Sequence, residues 1–237
     1  MEELRHIHPR ARLSAALDML RDRDTVADIG CDHGRLSCAL IQAGAARRCI
    51  ATDISLPSLE KARALAAYVG VSDRVETRLG DGFSPLVPGE ADAAALLGMG
   101  GTLMVRMLSC CEPPFYGMRR IVFQPMRAVE DIRRYLYETG CRILDDRVVM
   151  EAGRYYQVFA AAPPEAGRQA LPVGWPDDFF ALGYTAFARR DPLLQALACR
   201  LLARHEKRLQ KGDAPALAAE CEKLRQILDA WEDAPCC

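Results

Sequence analysis

The chain has 237 residues, 50% of them hydrophobic and 27% charged, and 31 Lys+Arg against 32 Asp+Glu leave a net charge of −1. Such a composition excludes a disordered chain and a uniformly basic nucleic-acid coat, and at roughly 100–200 residues per domain the length suits one domain plus an appendage. The longest apolar stretch, Ala93 to Val105, is interrupted by three glycines and stops at Arg106, short of the roughly 18 residues of a membrane span; with no signal-like N-terminus, a cytoplasmic protein without membrane contact is expected.

In chain order, Val26–Ile29 reads as a buried strand and Leu36 to Ala43 as a helix. Cys49–Thr52 is a second strand, Leu56 to Val69 a helix, Arg74–Leu79 and Ala93–Leu97 two further strands. Thr102–Cys110 reads as helix, Ile121–Phe123 as strand and Ala128–Glu138 as helix. This alternation predicts right-handed βαβ crossovers and a parallel sheet covered on both faces. Arg142–Met150 and Tyr155–Ala162 then flank Glu151-Ala-Gly153, the pattern of a β-hairpin, so the sheet is expected to end in an antiparallel pair. A Pro/Gly-rich stretch over 163–176 reads as a linker between a domain at 1–162 and a helical one at 177–237. In the latter, Leu194, Leu197 and Leu201, then Leu217, Cys221, Leu224, Leu228 and Trp231 keep helical spacing, and Gly212-Asp-Ala-Pro215 breaks them into an antiparallel, coiled-coil-like hairpin.

Ten cysteines occur without any C-x-x-C, and no Cys/His pair has zinc-ligand spacing; buried small hydrophobes and no metal are expected. The terminal Cys236-Cys237 pair reads as an oxidation liability.

The sharpest local signal is Asp28-Ile-Gly30-Cys-Asp32-His33-Gly34, ending the first strand and opening a helix. Its glycines permit a tight turn and close approach of a ligand to the backbone. Asp53, 19 residues beyond Gly34 at the end of the second strand, stands where a ribose-binding carboxylate belongs. Asp32 occupies the place of the middle glycine of a dinucleotide fingerprint, where a carboxylate repels a pyrophosphate but attracts the cationic amino or sulfonium group of S-adenosylmethionine. Gly80-Asp81-Gly82 follows the third strand, with Asp81 suited to an adenine amino group. Gly98-Met99-Gly100-Gly101 ends the fourth, leaving room for a planar substrate.

These motifs, with Gln124-Pro125, Tyr135-Leu-Tyr137-Glu138 and the Glu151…Tyr155-Tyr156 hairpin, occur in an order that resembles the bacterial tRNA (adenine(22)-N(1))-methyltransferase family (TrmK) over essentially the whole chain. The resemblance implies a Rossmann-like class I methyltransferase sheet with a C-terminal helical hairpin, S-adenosyl-L-methionine as cofactor and tRNA as substrate. It implies a cofactor site at Asp28, Gly30, Asp32, Gly34, Asp53, Ile54, Gly80, Asp81, Gly82, Gly98 and Met99, and a substrate site including Gly100, Gly101, Gln124 and Pro125. Two departures stand out. Asp32-His33 is followed by Gly34-Arg-Leu-Ser37 where the family has A-x-L-P, and Met126 stands where it has Asn after Gln-Pro.

Ring nitrogen 1 of adenine carries an in-plane lone pair and needs no deprotonation, so positioning and electrostatics would carry the reaction. Asp32 is the expected catalytic residue, holding the methionine amino group or orienting the base; His33 either stacks on the base or satisfies the loop. Arg189 to Lys211 hold seven Lys/Arg against two acids, and Gly212 onward two against six. The hairpin is therefore either a solvated pair of mutually neutralising helices or a tRNA grip through Arg204 and Arg208, joined by Arg10 and Arg12. A small-molecule or protein methyltransferase and a non-catalytic scaffold are the alternatives, and a monomer is expected.

Overall fold

The computed structural model describes residues 6–110, 117–164, 169–212 and 216–233. Its elements are α1 (Ala11–Met19), β1 (Arg23–Ile29), α2 (Arg35–Gln42), β2 (Ala46–Asp53), α3 (Leu56–Tyr68), β3 (Val75–Leu79), β4 (Ala93–Leu97), α4 (Gly101–Ser109), β5 (Arg120–Gln124), α5 (Val129–Glu138), β6 (Cys141–Glu151), β7 (Arg154–Pro164), α6 (Tyr184–Ala188), α7 (Pro192–Leu209) and α8 (Ala216–Asp233). Residues 165–168 of the predicted linker, 213–215 of the predicted helix break, and Cys236-Cys237 lie outside the described residues.

The seven strands form one sheet in the order β3-β2-β1-β4-β5-β7-β6. β1 to β5 pair in parallel, while β7 runs antiparallel to both of its neighbours. The expected hairpin is present, but its second strand lies inside its first, between β5 and β6. Ala152 (φ 50°) and Gly153 (φ 74°) make its two-residue turn, with both residues left-handed as a type I′ turn demands.

Alternate residues of each strand enter opposite cores, the period of two of a sheet buried on both faces. Val26, Cys49, Ala51, Ala93, Ala95, Val122 and Ala160 pack under α1–α3. Ala27, Ile29, Ile50, Leu96, Phe123 and Phe159 pack on the other side with α4 and α5. Trp175, Phe179, Phe180, Leu182, Tyr184, Phe187 and Trp231 belong to that same second core. Within the stretch read as a linker, Gln169 donates to Ile143 O at 3.0 Å and accepts from Ile143 N at 2.8 Å, in the manner of a short strand extension.

A buried ion pair joins these parts. Arg133 on α5 grips Asp146 on β6 with Nε and Nη2 at 3.1 and 2.9 Å, and its Nη1 donates to Phe180 O at 3.3 Å. Both side chains are fully buried. A Cβ at Gly183 would fall on the Asp146 carboxylate, so only glycine lets that backbone pass.

Candidate active site

In an open parallel sheet, a ligand crevice forms at the strand carboxyl ends where the strand order reverses. Here the reversal lies between β1 and β4. The loop after β1 is folded against the end of β2: Gly30 N and Cys31 N donate to Thr52 O at 2.8 and 2.9 Å, and Asp32 N donates to Asp53 Oδ2 at 3.0 Å. The other oxygen of Asp53 accepts Ser55 N at 2.9 Å and starts α3. Gly80 N donates to Asp53 O at 3.0 Å and Thr52 Oγ1 to Gly82 O at 3.3 Å, tying in the loop after β3. Asp32 itself takes φ 48°, and Gly34 (φ 67°) caps α2 with its α-carbon so close that a Cβ would lie 2.7 Å from Ala62 Cβ.

On the other side of the reversal, Gly98 N donates to Gln124 O and Met126 N to Met99 O, so Gly98–Gly101 runs beside Gln124–Arg127 as a prolonged strand pair. The Met99 methyl reaches the Gly30 α-carbon face. A cavity of about 320 Å³ opens between the two walls, lined among others by Asp28, Gly30, Asp32, His33, Gly98, Gln124, Arg10, Arg12 and Glu151. Asp28 is buried on β1, and burial pushes its carboxyl up to about 6 although Ser37 donates to it twice. Burial likewise raises the thiol of Cys31 in the cavity wall, with Asp28, Asp53 and Asp32 adding to the effect, so it stays a neutral thiol. Among the described residues no cluster of three or more His, Cys, Asp or Glu suits a metal, and no helix is long and apolar enough to cross a membrane.

Past the Gln124–Met126 strap lies a second, larger groove of about 680 Å³ between β7, the segment 178–181, and the hairpin α7–α8. Pro125, Met126, Tyr155, Tyr156 and Phe179 line it together with Arg127, Arg134, Arg154, Arg204, Arg208 and Lys223, against Glu130, Asp178 and Glu220. Inside the hairpin, Arg225 pairs with Glu206 at 2.7 Å, and His205 Nδ1 stands 3.4 Å from a Glu220 carboxylate oxygen.

Residues 10–159 match the family described as "Methyltransferase domain". The chain belongs to the methyltransferase domain family. A tRNA (adenine(22)-N(1))-methyltransferase of Bacillus subtilis is 31% identical over 156 residues, 66% of this chain and 64% of that relative. A putative tRNA methyltransferase of Mycoplasma pneumoniae is 29% identical over 148 residues, 61% of this chain and 66% of that one. The chain thus spans just under two thirds of these curated relatives' length in the matches. A putative tRNA (m1A22) methyltransferase of Streptococcus pneumoniae, solved in complex with S-adenosyl-L-methionine, shares the fold at TM-score 0.81 and 20% identity, covering 92% of this chain and 99% of that one.

Within this methyltransferase domain, the predicted site residues divide in three. Asp28, Gly30, Asp32, His33, Gly98, Gln124, Arg10 and Arg12 share the cavity. Gly34, Asp53, Gly80, Gly82, Met99, Gly100 and Gly101 stand outside its lining, in the turns and loops tied to it, as do the exposed Ile54 and Asp81. Pro125, Arg204 and Arg208 line the groove instead. Sequence reasoning missed three participants. Ser37 holds Asp28, Lys61 Nζ stands 3.3 Å from His33 Nε2, and Glu151 grips Arg12. Glu151 had a sequence signal, the hairpin motif; its partner is 139 residues away.

Proposed function

We propose that this protein is a tRNA methyltransferase that transfers a methyl group from S-adenosyl-L-methionine to ring nitrogen 1 of an adenine in the D-arm region, position 22. The observation that carries the reading is the adjacency of the two cavities. A small donor crevice at the sheet's reversal point shares the Gln124–Met126 strap with a groove whose lining is aromatic and predominantly cationic. Phosphates suit such a lining, and aromatic faces suit unstacked bases. The relative names and the family match support the same reading.

The residues fit the donor. Nothing lies within 4 Å of where a Cβ at Gly98 would stand, so the space is open to a ligand. Asp28 and Asp32 supply carboxylates to a cationic amino acid end, Asp53 to ribose hydroxyls and Asp81 to the adenine edge, with Gly30, Gly34, Ile54, Gly80, Gly82 and Met99 as backbone and apolar neighbours. When bound, S-adenosyl-L-methionine supplies an electrophilic methyl group on a sulfonium. The chain's part is to hold the base in line and keep water out. Asp32 and His33 flank the reacting region, Gly100 and Gly101 with Gln124 and Pro125 bound the base, and Arg10, Arg12, Arg204 and Arg208 hold the RNA. Flipping the target nucleotide costs a few kcal/mol, which phosphate contacts offset.

The division into a catalytic part (1–162), a connecting stretch (163–176) and a helical RNA-gripping part (177–237) belongs to the same reading, as do a cytoplasmic location and a monomer. Incubation with labelled donor and unmodified tRNA, then nucleoside mass spectrometry, tests it. A single 1-methyladenosine in the D-arm region is expected; donor binding without transfer to tRNA redirects the search to proteins and small molecules.

A further inference from the structure

Between the donor cavity and the groove stands a single packed cluster. Glu151, the last residue of β6, has a carboxylate that is 11% exposed and directs both oxygens to Arg12 in the first turn of α1. Oε2 accepts Arg12 N at 3.3 Å, and Oε1 accepts Nε at 3.2 Å and Nη2 at 2.9 Å. The guanidinium lies over the Tyr156 ring, 4.3 Å from its centroid. Its remaining nitrogen, Nη1, meets the thioether of Met126 at 3.7 Å, and Gln124 Nε2 approaches the same sulfur at 3.4 Å. Arg12 and Glu151 line the donor cavity, while Tyr156 and Met126 line the groove. The cluster therefore stands on the boundary between the two.

A thioether is a weak acceptor. Three of the guanidinium's connections are strong and fix it over the face of the tyrosine ring; the fourth is readily given up to a better acceptor. An arginine edge held flat is suited to N7 or N3 of a purine, the acceptor nitrogens that leave the N1 lone pair free to react. An unpaired cation at this place would oppose the positive charge that adenine gains on N1-methylation. Glu151 offsets that charge at hydrogen-bond distance, and the exposed Arg10 reaches the same oxygen only at 3.9 Å.

We infer that Glu151 is a positioning residue for the substrate base: it locks the Arg12 guanidinium against Tyr156 so that Nη1 hydrogen-bonds the target purine at the threshold between groove and donor cavity. This rests on the tRNA reading above and deepens it. Glu151 acts through Arg12 and needs no contact with the donor.

The test compares wild type, Glu151→Gln, Arg12→Lys and the double variant. Calorimetry gives the S-adenosyl-L-methionine dissociation constant, and steady-state kinetics with an unmodified tRNA transcript gives kcat and KM. Losing a charge-assisted, geometry-fixing contact is expected to lower kcat/KM for tRNA by about tenfold or more in each single variant. The double variant is expected to lose no more than the worse single, because both substitutions break one unit, and the donor dissociation constant stays at the wild-type value. Tyr156→Leu, which removes the ring and leaves the ion pair, is the second probe if Glu151→Gln fails to fold, and the same loss is expected. Wild-type tRNA kinetics in the single variants, strictly additive losses, or a parallel loss of donor affinity overturns the inference while leaving the tRNA reading intact. A wild-type protein that binds donor and methylates no tRNA overturns both.

Discussion

Ser37 gives both of its donors to one oxygen of Asp28, the hydroxyl at 2.6 Å and the backbone N–H at 3.2 Å. Both donors come from the first turn of α2, so the helix that follows the glycine turn holds the β1 carboxylate. The two bonds favour the charged form, yet burial outweighs them and leaves the carboxyl near 6. Because the folded value lies above the ordinary 3.8, the native state binds its proton more tightly than the unfolded chain. Stability from this group is complete below about pH 4 and declines as pH rises through 6. Asp28→Asn removes that loss. At pH 7.5 the variant is expected to unfold at higher urea than wild type, by up to about 3 kcal/mol, with the gain vanishing towards pH 4. A variant no more stable than wild type at pH 7.5 counts against this account.

The same carboxyl gives donor binding a pH dependence. S-adenosyl-L-methionine presents an ammonium group to whichever carboxylates hold it, and protonated Asp28 no longer attracts a cation. Around Asp28 stand Ser37 and Cys38 of α2, Cys49 and Asp53 of β2, and Cys31 and Asp32 of the loop; burial keeps the three thiols neutral throughout. Donor affinity measured by calorimetry is therefore expected to be level above pH 7 and to fall as pH drops through about 6. Ser37→Ala, which loses one stabilising bond to the charged form, shifts that fall to higher pH. A flat profile from pH 8 to 5 would mean that Asp28 does not hold the donor.

Arg133 and Asp146 are the buried charges on which the second core closes. Burial pushes Asp146 up to about 6 in spite of the guanidinium beside it. Arg133→Met leaves that carboxylate without its partner and also frees Phe180 O. A loss of about 3–5 kcal/mol is expected at pH 8, shrinking as acidification protonates Asp146. Arg133→Met/Asp146→Leu, which removes both charges, recovers much of the loss. Equal stability of single and double variants would show that the charge pair is not what the site needs.

Arg204 and Arg208 project from α7 into the groove. Arg204→Glu/Arg208→Glu is expected to raise KM for tRNA while leaving donor affinity unchanged. The plot of log RNA affinity against log salt becomes shallower by roughly one unit for each phosphate that the protein no longer neutralises. RNA binding and salt slope identical to wild type would assign the basic face of α7 to solvent.

How much of this is legible in the sequence follows from the range of the interactions. Strands β1, β4 and β5 announce themselves as apolar runs and the glycine turns as local chemistry. β2 starts three residues earlier than its run because Arg47 and Arg48, exposed at the sheet's lower edge, still pair through their backbones. The helix α1 is absent from the sequence expectations although Leu13, Ala16, Leu17 and Leu20 keep helical spacing. Prolines and glycines give 163–176 the composition of a loop, but β7 runs on to Pro164, and composition cannot tell that Gln169 pairs with β6 or that Trp175 is buried. The insertion of β7 between β5 and β6, and the Arg12–Glu151 contact, depend on tertiary pairing alone. The four aspartates are legible because they end strands or stand in the loops that follow them; what holds each of them is not.

Two glycines of the β4 loop separate stability from activity. Gly98 takes φ 78° with open space around its α-carbon, whereas a Cβ at Gly101 would fall on the carbonyl of Ala128. Gly98→Ala incurs a left-handed backbone penalty of roughly 1–2 kcal/mol and intrudes into the cavity that Gly98 lines. Gly101→Ala meets backbone, which cannot rotate away. It must push the start of α4 off Arg127 and Ala128, breaking the Gly101 N to Arg127 O bond of 2.9 Å. Gly101→Ala is thus expected to lower the melting temperature more, and Gly98→Ala to weaken donor binding more for each degree by which it lowers that temperature. Melting curves with and without S-adenosyl-L-methionine measure both quantities in one experiment. Should the two variants lose stability and donor affinity in the same proportion, the open space at Gly98 is not part of the donor site.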